Sequence, residues 1–563
     1  MGAEDYQLHS ELLGPLPVIN HFLGRTGLVG SLERFVPHDD ARLRLAPATV
    51  LAVVVRNLVT HREPVYAIGE WAAPYAPELL GLFADDLAAL NDDRVGRMLE
   101  RLFDADRASL LTEVVLAVVR EFAIDCTQLH NDSTSISFTG VGYPGGGSRR
   151  GGKTVPTVTF GHNKDHRPDL RQLVWVLTVS ADGAVPVAYR VEPGNTNDDV
   201  THIPTWDELV ALLGRADFLY VSDCKLASNE AMGHIDGHGG RFVTILPANR
   251  REVTRFAEWI QTHSPDWAEA ARRPGRRLAD PPEIWRTFES PTPSEAGFRI
   301  VWVHSATKAV NDAATRARRV EAGTVALEEL AARLVGPRCR YKTTVAVEEA
   351  AARALSDAEA ERWISFTVAT AAAETFRQEH RGRPGATTRY RRTTTERFAL
   401  THTVNHDAVA YDARMDGVFP LITNDREMAA REVLAAYKYQ PNLERRHGQL
   451  KGHQLVAPVL LKDPVRIEGL LCCHFLALVV QALIEREIRT AMANAETAHI
   501  PLYPELRACK APSAQRVLEV FANLSRHHLS INGRPVKTFQ AELSPLQLQV
   551  LDLLGIPASA YTA

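Results

Sequence analysis

Three carboxylates in this sequence keep the company that metal-dependent phosphoryl chemistry needs. Asp132 sits within LHNDSTSISF, a strand-like run with small polar neighbours, and Asp223 closes the apolar run ADFLYVSDCKL. An acid at a strand end ahead of a helix is a common place for function in mixed sheets, and equally a common N-cap. Glu444 lies in a helical stretch with Tyr437, Gln440 and Lys451 at offsets of −7, −4 and +7. A continuous helix puts all four on one face. A phenol, an amide, a carboxylate and an ammonium there read poorly as core; a solvated face is the alternative. Acids from two strands and one helix can hold two Mg²⁺ ions, with Mn²⁺ able to substitute, because hard cations take oxygen ligands and Mg²⁺ keeps waters and substrate phosphate besides. Two such ions activate a water or a 3′-hydroxyl and stabilise the departing oxygen of an in-line displacement at phosphorus.

Other residues suit a polyanion. Lys164, Arg167 and Arg171 share one segment, which reads as a DNA contact or as a salt-bridged turn. The run 377–397 carries Arg377, Arg381, Arg383, Arg389, Arg391, Arg392 and Arg397 against Glu379 and Glu396. It is either a solvated face or a phosphate grip, with Arg389, Arg391 and Arg392 as the DNA contacts. A net charge of −4 and a pI near 6.6 do not exclude the grip, because counterion release depends on the contacting face. His130, His162, His166 and His447 read as structural or surface residues. The Gly- and Arg-rich loop YPGGGSRRGGKTVP has neither GxGxxG in a strand–helix setting nor a Walker lysine, which argues against nucleotide binding and for a mobile loop near DNA.

The elements that must position these groups follow from periodicity. A chain of 563 residues, 45% hydrophobic and 23% charged, has the composition of a multidomain globular protein. Residues 1–123 repeat apolar residues at helical spacing and read as an α-helical domain for DNA-end binding, dimer contact or support. Residues 124–249 turn to short β-branched runs, the first part of a mixed α/β core. Residues 250–415 read as an insertion: a turn-rich opening (WAEAARRPGRRLADPPEIW), a strand FRIVWVHSA, two helices, the basic run, and strands FALTHTV and AVAYDA. The core resumes over 416–490 with the glutamate helix, and 491–563 closes the chain as helix. The apolar stretch GLLCCHFLALVVQAL is broken by His474 and flanked by charges, so a buried helix is expected and no membrane partner. Six scattered cysteines without CxxC spacing, and an N-terminus without a secretory pattern, point to reduced thiols in the cytosol.

Taken together, these segments resemble the IS4-type DDE transposases, and within them the IS1634-like group. The resemblance rests on the helix signature Tyr437, Gln440, Glu444, Lys451, on GHNKDHRPDLRQL (161–173), VEPGNTNDD (191–199), YVSDCKLAS around Asp223, and DGVFPLITND (416–425). It covers most of 125–480. It implies an RNase H-like (retroviral integrase-like) catalytic core with a helical N-terminal domain and a β-containing insertion. Asp132, Asp223 and Glu444 become the catalytic acids and ligands of two Mg²⁺, and Tyr437, Gln440, Lys451, Lys164 and Arg167 become DNA contacts. The implied activity is cutting insertion-sequence ends and joining them to target DNA, by a homodimer on double-stranded DNA in the bacterial cytoplasm at the nucleoid. An inactive DNA-binding descendant and an RNase H-like nuclease without strand transfer are the alternatives. One position departs from the family signature: Gln440 stands where the group has Arg, and brings a hydrogen bond without charge to a phosphate.

Overall fold

The computed structural model describes residues 6–562 apart from 37, 41–42, 61, 141, 144–146, 276–279, 337–338, 458 and 460. The chain forms two compact units, Met1–Thr244 with Ala435–Ala563, and Ile245–Leu434. The sheet of the first unit grows where the sequence turns β-branched. Its strands are β1 (Gln128–Phe138), β2 (Arg171–Ser180), β3 (Pro186–Pro193), β4 (Leu219–Val221) and β5 (Arg241–Ile245). They lie in the order β3-β2-β1-β4-β5. β1, β2 and β3 are antiparallel neighbours, while β4 runs parallel to β1 and β5 parallel to β4. β2 is buried along nearly its whole length, as expected of a central strand covered on both faces.

Helix Pro464–Asn494 is the spine of this unit. Asp463 caps it by accepting from the Val465 amide at 2.9 Å, and Pro464 occupies the first turn, where its missing N–H costs nothing. By length, and by a mean hydropathy of 2.1 over its most apolar 18 residues, the helix is long and apolar enough to cross a membrane, yet 94% of that window is buried inside the protein. The covering comes in part from helices Pro47–Thr60 and Asp92–Asp104. Gly469 permits that packing: a Cβ there would sit 2.4 Å from the Leu99 carbonyl oxygen. The N-terminal helices therefore share a core with the sheet-bearing unit.

One expectation for this unit is corrected. The C-terminal section is not helical throughout, since Ser525–Ile531 and Arg534–Phe539 are strands. Ser525–Ile531 also pairs with Tyr6–Leu12 in antiparallel register, Tyr6 opposite Ile531. Partners more than 500 residues apart leave no local signal. Of the Gly-rich loop, 144–146 lie outside the described residues, and Arg149–Arg150 and Lys153–Thr154 pair as a short hairpin.

The second unit holds an antiparallel run of strands, Ala268–Arg273, Glu283–Glu289, Arg299–Ser305 and Val418–Thr423. The stretch expected to be turn-rich thus contributes two strands, with 276–279 outside the described residues. Phe256 stacks on Trp302 at 3.7 Å on one side of this run. AVAYDA, expected as a strand, is inside helix His406–Ala413, because Asn405 caps that helix by accepting from the Ala408 amide. Between the helices Ala306–Val335 and Thr344–Asp357 and that short helix runs a two-stranded antiparallel ribbon, Ile364–Gln378 with Tyr390–Val404.

His474, within the spine helix, is fully buried and meets Gln454 through Nδ1 at 2.8 Å. Burial pushes its pKa down to about 3, with the Arg62 charge adding to the effect. The unfolded chain binds a proton here below about pH 6.5, which the folded chain refuses until about pH 3. Stability is therefore lost as pH falls through that window, by up to about 1.4 kcal/mol per pH unit from this one group. In urea unfolding series between pH 7 and 4.5, His474→Gln is expected to flatten the pH slope by up to one proton; an unchanged slope would show that His474 titrates normally.

Candidate functional site

Register brings the first two acids together. β1 and β4 pair in parallel with His130 opposite Val221, so Asp132 and Asp223, each two residues further on, leave neighbouring strands at the same level and on the same side. Asp223 also serves as the N-cap weighed in the sequence, its Oδ1 accepting from the Lys225 amide at 3.0 Å. Its carbonyl accepts from the Thr244 hydroxyl on the next strand at 2.5 Å.

The glutamate helix, Pro441–Gly448, is pinned across these strands at both ends. At its start the Gln440 amide donates to the Asn131 carbonyl at 3.0 Å, and its Oε1 accepts from His130 Nδ1 at 2.9 Å. Near its end Arg446 donates to the carbonyls of Gly183 and Ala184 at 2.8 and 2.9 Å, in the turn between β2 and β3, and to Glu485 of the spine helix at 2.8 Å. Both partners of that ion pair are buried, 3% and 5% exposed. Glu485 also accepts from Gln449 and from the Ala514 amide. Burial would raise the Glu485 carboxyl, but Arg446 and Arg489 outweigh it and hold it below the ordinary range.

This arrangement corrects the single-face reading of the signature. One helix ends at Tyr437 and another begins at Pro441, so Gln440 is turned inward and buried with its amide occupied at both ends. It is a docking residue in this structure and offers nothing to a phosphate. Tyr437 stays at the site: burial lifts its phenol to about 12, and the charges of Asp223, Glu444 and Asp132 add to the rise. One phenol thus feels all three acids. Glu444 is exposed, and beside it opens a cleft of about 880 Å³ lined by Asn442, Arg445, Arg489 and Gln515 among others. Lys451 lies in the irregular turn after the helix, and its Nζ donates to both carboxylate oxygens of Asp165 at 2.6 and 2.8 Å.

The segments GHNKDH and VEPGNTNDD meet at glycines. A Cβ on Gly161 would fall 1.9 Å from the Gly194 carbonyl oxygen, and one on Gly194 would fall 2.0 Å from that of Gln172. The buried Gln172 amide then donates to Gly194 at 2.7 Å and to His162 at 3.2 Å. Alternate serines of β1 receive the first segment: Ser137 accepts from Asn163, Ser135 from the Lys164 amide, and Ser133 from Lys164 Nζ. Lys164 Nζ also reaches Asp198 at 2.9 Å and stands 3.7 Å from Asp132. Asp198, which the sequence reading did not single out, accepts from the Ser133 hydroxyl at 2.5 Å. Arg167, by contrast, is exposed and paired with Asp169, the salt-bridged turn of the two readings. Arg389, Arg391 and Arg392 belong to the second unit.

The electrostatics are those of crowded acid. Burial lifts the Asp132 carboxyl to about 6; Lys164 opposes the rise, and the charges of Asp223 and Asp198 reinforce it. Burial also raises Asp198, but the Ser133 hydroxyl and Lys164 outweigh it and hold it below the ordinary range. His447, one helical turn after Glu444, is buried, and among the described residues neither ring nitrogen is within hydrogen-bond geometry of a partner, Nε2 lying 3.9 Å from Asp132. Burial, then Lys164 and Lys451, push it down to about 3 against the opposing effect of the Asp132 backbone, so the ring is neutral. Among the described residues no three His, Cys, Asp or Glu are preassembled at ligand distance. The donor set nevertheless fits a hard divalent cation: oxygen-rich, over-supplied with negative charge, and bordered by an orphaned imidazole. Mg²⁺ needs only one or two protein carboxylates beside water and phosphate.

Residues 8–116 match the domain of unknown function DUF4277. No curated protein matches the chain. Among solved structures, a chain of the piggyBac transposase synaptic complex with hairpin DNA, determined by electron cryo-microscopy, is similar at 11% identity and a TM-score of 0.23. The match spans 51% of this chain and 62% of that one. A likeness that loose decides neither activity nor partner.

Because Arg446 and Glu485 are both desolvated, removing one leaves a buried charge unpaired. Glu485→Leu is expected to cost about 3–5 kcal/mol in chemical denaturation, with Arg446→Met/Glu485→Leu recovering part of it. A single-variant loss below about 1 kcal/mol would mean that the pair is not closed in solution.

Proposed function

We propose that this chain is a DNA transposase of an insertion sequence, acting as a homodimer on double-stranded DNA through an RNase H-like core. The observation that carries the reading is the convergence of Asp132 and Asp223, side by side on parallel strands, with the Glu444 helix clamped across them. The sheet order β3-β2-β1-β4-β5, with its first three strands antiparallel and its last two parallel to β1, supports the same fold reading.

Asp132, Asp223 and Glu444 would hold two Mg²⁺ ions, which when bound stabilise developing charge at phosphorus. The chain's own residues do the rest. Lys164, held by Ser133 and Asp198, offsets part of the acids' charge. His447 stays neutral against Asp132. Tyr437, its phenol lifted to about 12, keeps its proton and can donate a hydrogen bond at neutral pH. Lys451, held at the surface by Asp165, can exchange that carboxylate for a phosphate.

A labelled duplex carrying the DNA that flanks the chain's own gene tests this, with and without Mg²⁺. Nicking at the element boundary is expected only with the metal, and Asp132→Ala, Asp223→Ala and Glu444→Gln are each expected to lower its rate at least about a thousandfold, as loss of the main charge-stabilising groups does, without abolishing DNA binding. Joining of the cut end to added target DNA separates a transposase from a nuclease. A wild type that binds but never cuts would overturn the enzyme reading.

A further inference from the structure

The ribbon of the second unit sorts its charges by face. Its strands are in register with Ile364 opposite Val404 and Gln378 opposite Tyr390, so odd-numbered residues of both strands share one face and even-numbered residues the other. The even face is anchored at its root, where Ile364, Phe398 and Leu400 pack into a cluster with Leu327, Leu355 and their neighbours. Further out it carries Glu374, Glu396 and Arg392, and Arg392 is already paired with Glu374. The odd face is different. It carries Ser365, Thr367, Thr375, Thr393, Thr395, Thr401 and Thr403 among alanines, and its charged residues are Arg377, Arg391 and Arg397, with no acid along either strand.

Two features of that face call for an anion. Arg377 and Arg391 stand directly opposite each other, a cross-strand juxtaposition of like charges that costs stability unless something neutralises it. None of the three arginines makes an ion pair among the described residues, and from Ala369 outward the ribbon is largely solvent-exposed on both faces. A bare two-stranded ribbon is at best marginal in water, so a stretch this long and this exposed is built to be covered. At about 3.4 Å per residue, fifteen-residue strands span roughly 50 Å, about one and a half turns of duplex DNA. A flat face of hydroxyls and guanidiniums with no acid complements a row of phosphates, which arginine and threonine both bind.

We infer that the odd-numbered face of this ribbon grips the backbone of duplex DNA through Arg377, Arg391 and Arg397, and that Arg392 stands outside the grip. The inference rests on the reading of the chain as a DNA-processing protein, and it replaces a diffuse basic run with one face and three named contacts.

The test uses the full-length Glu444→Gln protein in EDTA with a fluorescein-labelled 40-base-pair duplex, with affinity followed by anisotropy across a potassium chloride series. Each phosphate contact contributes about 0.9 to the slope of log affinity against log salt, so R377A/R391A/R397A is expected to flatten the slope by about 2 to 3. The same triple variant is expected to weaken binding more than about tenfold at 100 mM salt, on the same counterion-release argument. R392A alone is expected to change the slope by less than about half a contact. Thermal melts of each variant check folding, and a lysine triple variant keeping the charge is expected to restore most of the slope. An unchanged slope in the folded alanine triple variant overturns the inference, as does an R392A loss of a full contact, about 0.9 in slope. A variant that changes oligomeric state while binding DNA normally overturns it too, and assigns the face to a second copy of the chain. Failure of the parent reading looks different: the wild type would not nick DNA while the ribbon variants still moved the slope.

Discussion

The buried ion pair between Arg446 and Glu485 is the constraint from which the site's geometry follows. Each ion left water at a cost of several kcal/mol, and the attraction between them offsets that cost only because most of their remaining hydrogen-bonding groups are also used. Arg446 spends its donors on the Gly183 and Ala184 carbonyls, Gln449 and Glu485; Glu485 accepts in addition from Gln449, Arg489 and the Ala514 amide. Such a hub adds little net stability compared with an apolar plug of the same size. What it fixes is position. It ties the helix bearing Glu444 to the β2–β3 turn, to the spine helix and to the C-terminal segment at once, so the third acid cannot drift relative to the sheet that carries the first two.

A second set of contacts controls the charge on the first acid. The serines of β1 alternate, and alternate side chains of a strand share a face, so Ser133, Ser135 and Ser137 together form a ladder for the 163–164 segment. That ladder delivers the Lys164 ammonium to Asp132 and Asp198. The glycines of the two motif segments exist for the same purpose, because any side chain at Gly161 or Gly194 would push the segments apart and carry Lys164 away from the acids. Even so, Asp132 remains lifted to about 6 by burial and by its acidic neighbours. The site holds more negative charge than its own cation balances, and that imbalance is the physical argument for added positive charge there.

Much of this was legible in the sequence. The strand carrying Asp223 announces itself as an apolar run and that carrying Asp132 as a strand-like run of small polar residues, and the parallel register of β1 and β4 in the structure then makes the two acids neighbours. The spine helix was legible too, as an apolar stretch interrupted by His474. What escaped has specific causes. The one-face reading of Tyr437, Gln440, Glu444 and Lys451 assumed an unbroken helix, although Pro441 at a first-turn position already marks a new helix start. Asp198 and His447 matter only through partners 65 and 315 residues away, Ser133 and Asp132. The three-stranded sheet that joins the two ends of the chain, and the helix that replaced an expected strand at 406–413, were decided by a distant pairing and by a single capping asparagine.

Gln440 shows how a departure from a familiar signature can be misjudged when only charge is considered. On a solvated helix face, glutamine in place of arginine would be a lost phosphate contact. In the structure the position is an interior joint whose two neighbours make opposite demands: the Asn131 carbonyl needs a donor, and the Nδ1–H of a neutral His130, whose pKa burial pushes down to about 4, needs an acceptor. An amide supplies one of each. A guanidinium supplies donors alone, so an arginine here would require His130 to accept at Nδ1, in its other tautomer, and would bring a charge into a site 8% exposed. Glutamine at 440 and histidine at 130 are therefore one matched choice. Its consequence is the docking of the glutamate helix onto the strand of Asp132, and any phosphate contact the signature once implied at this position has to be sought on other side chains.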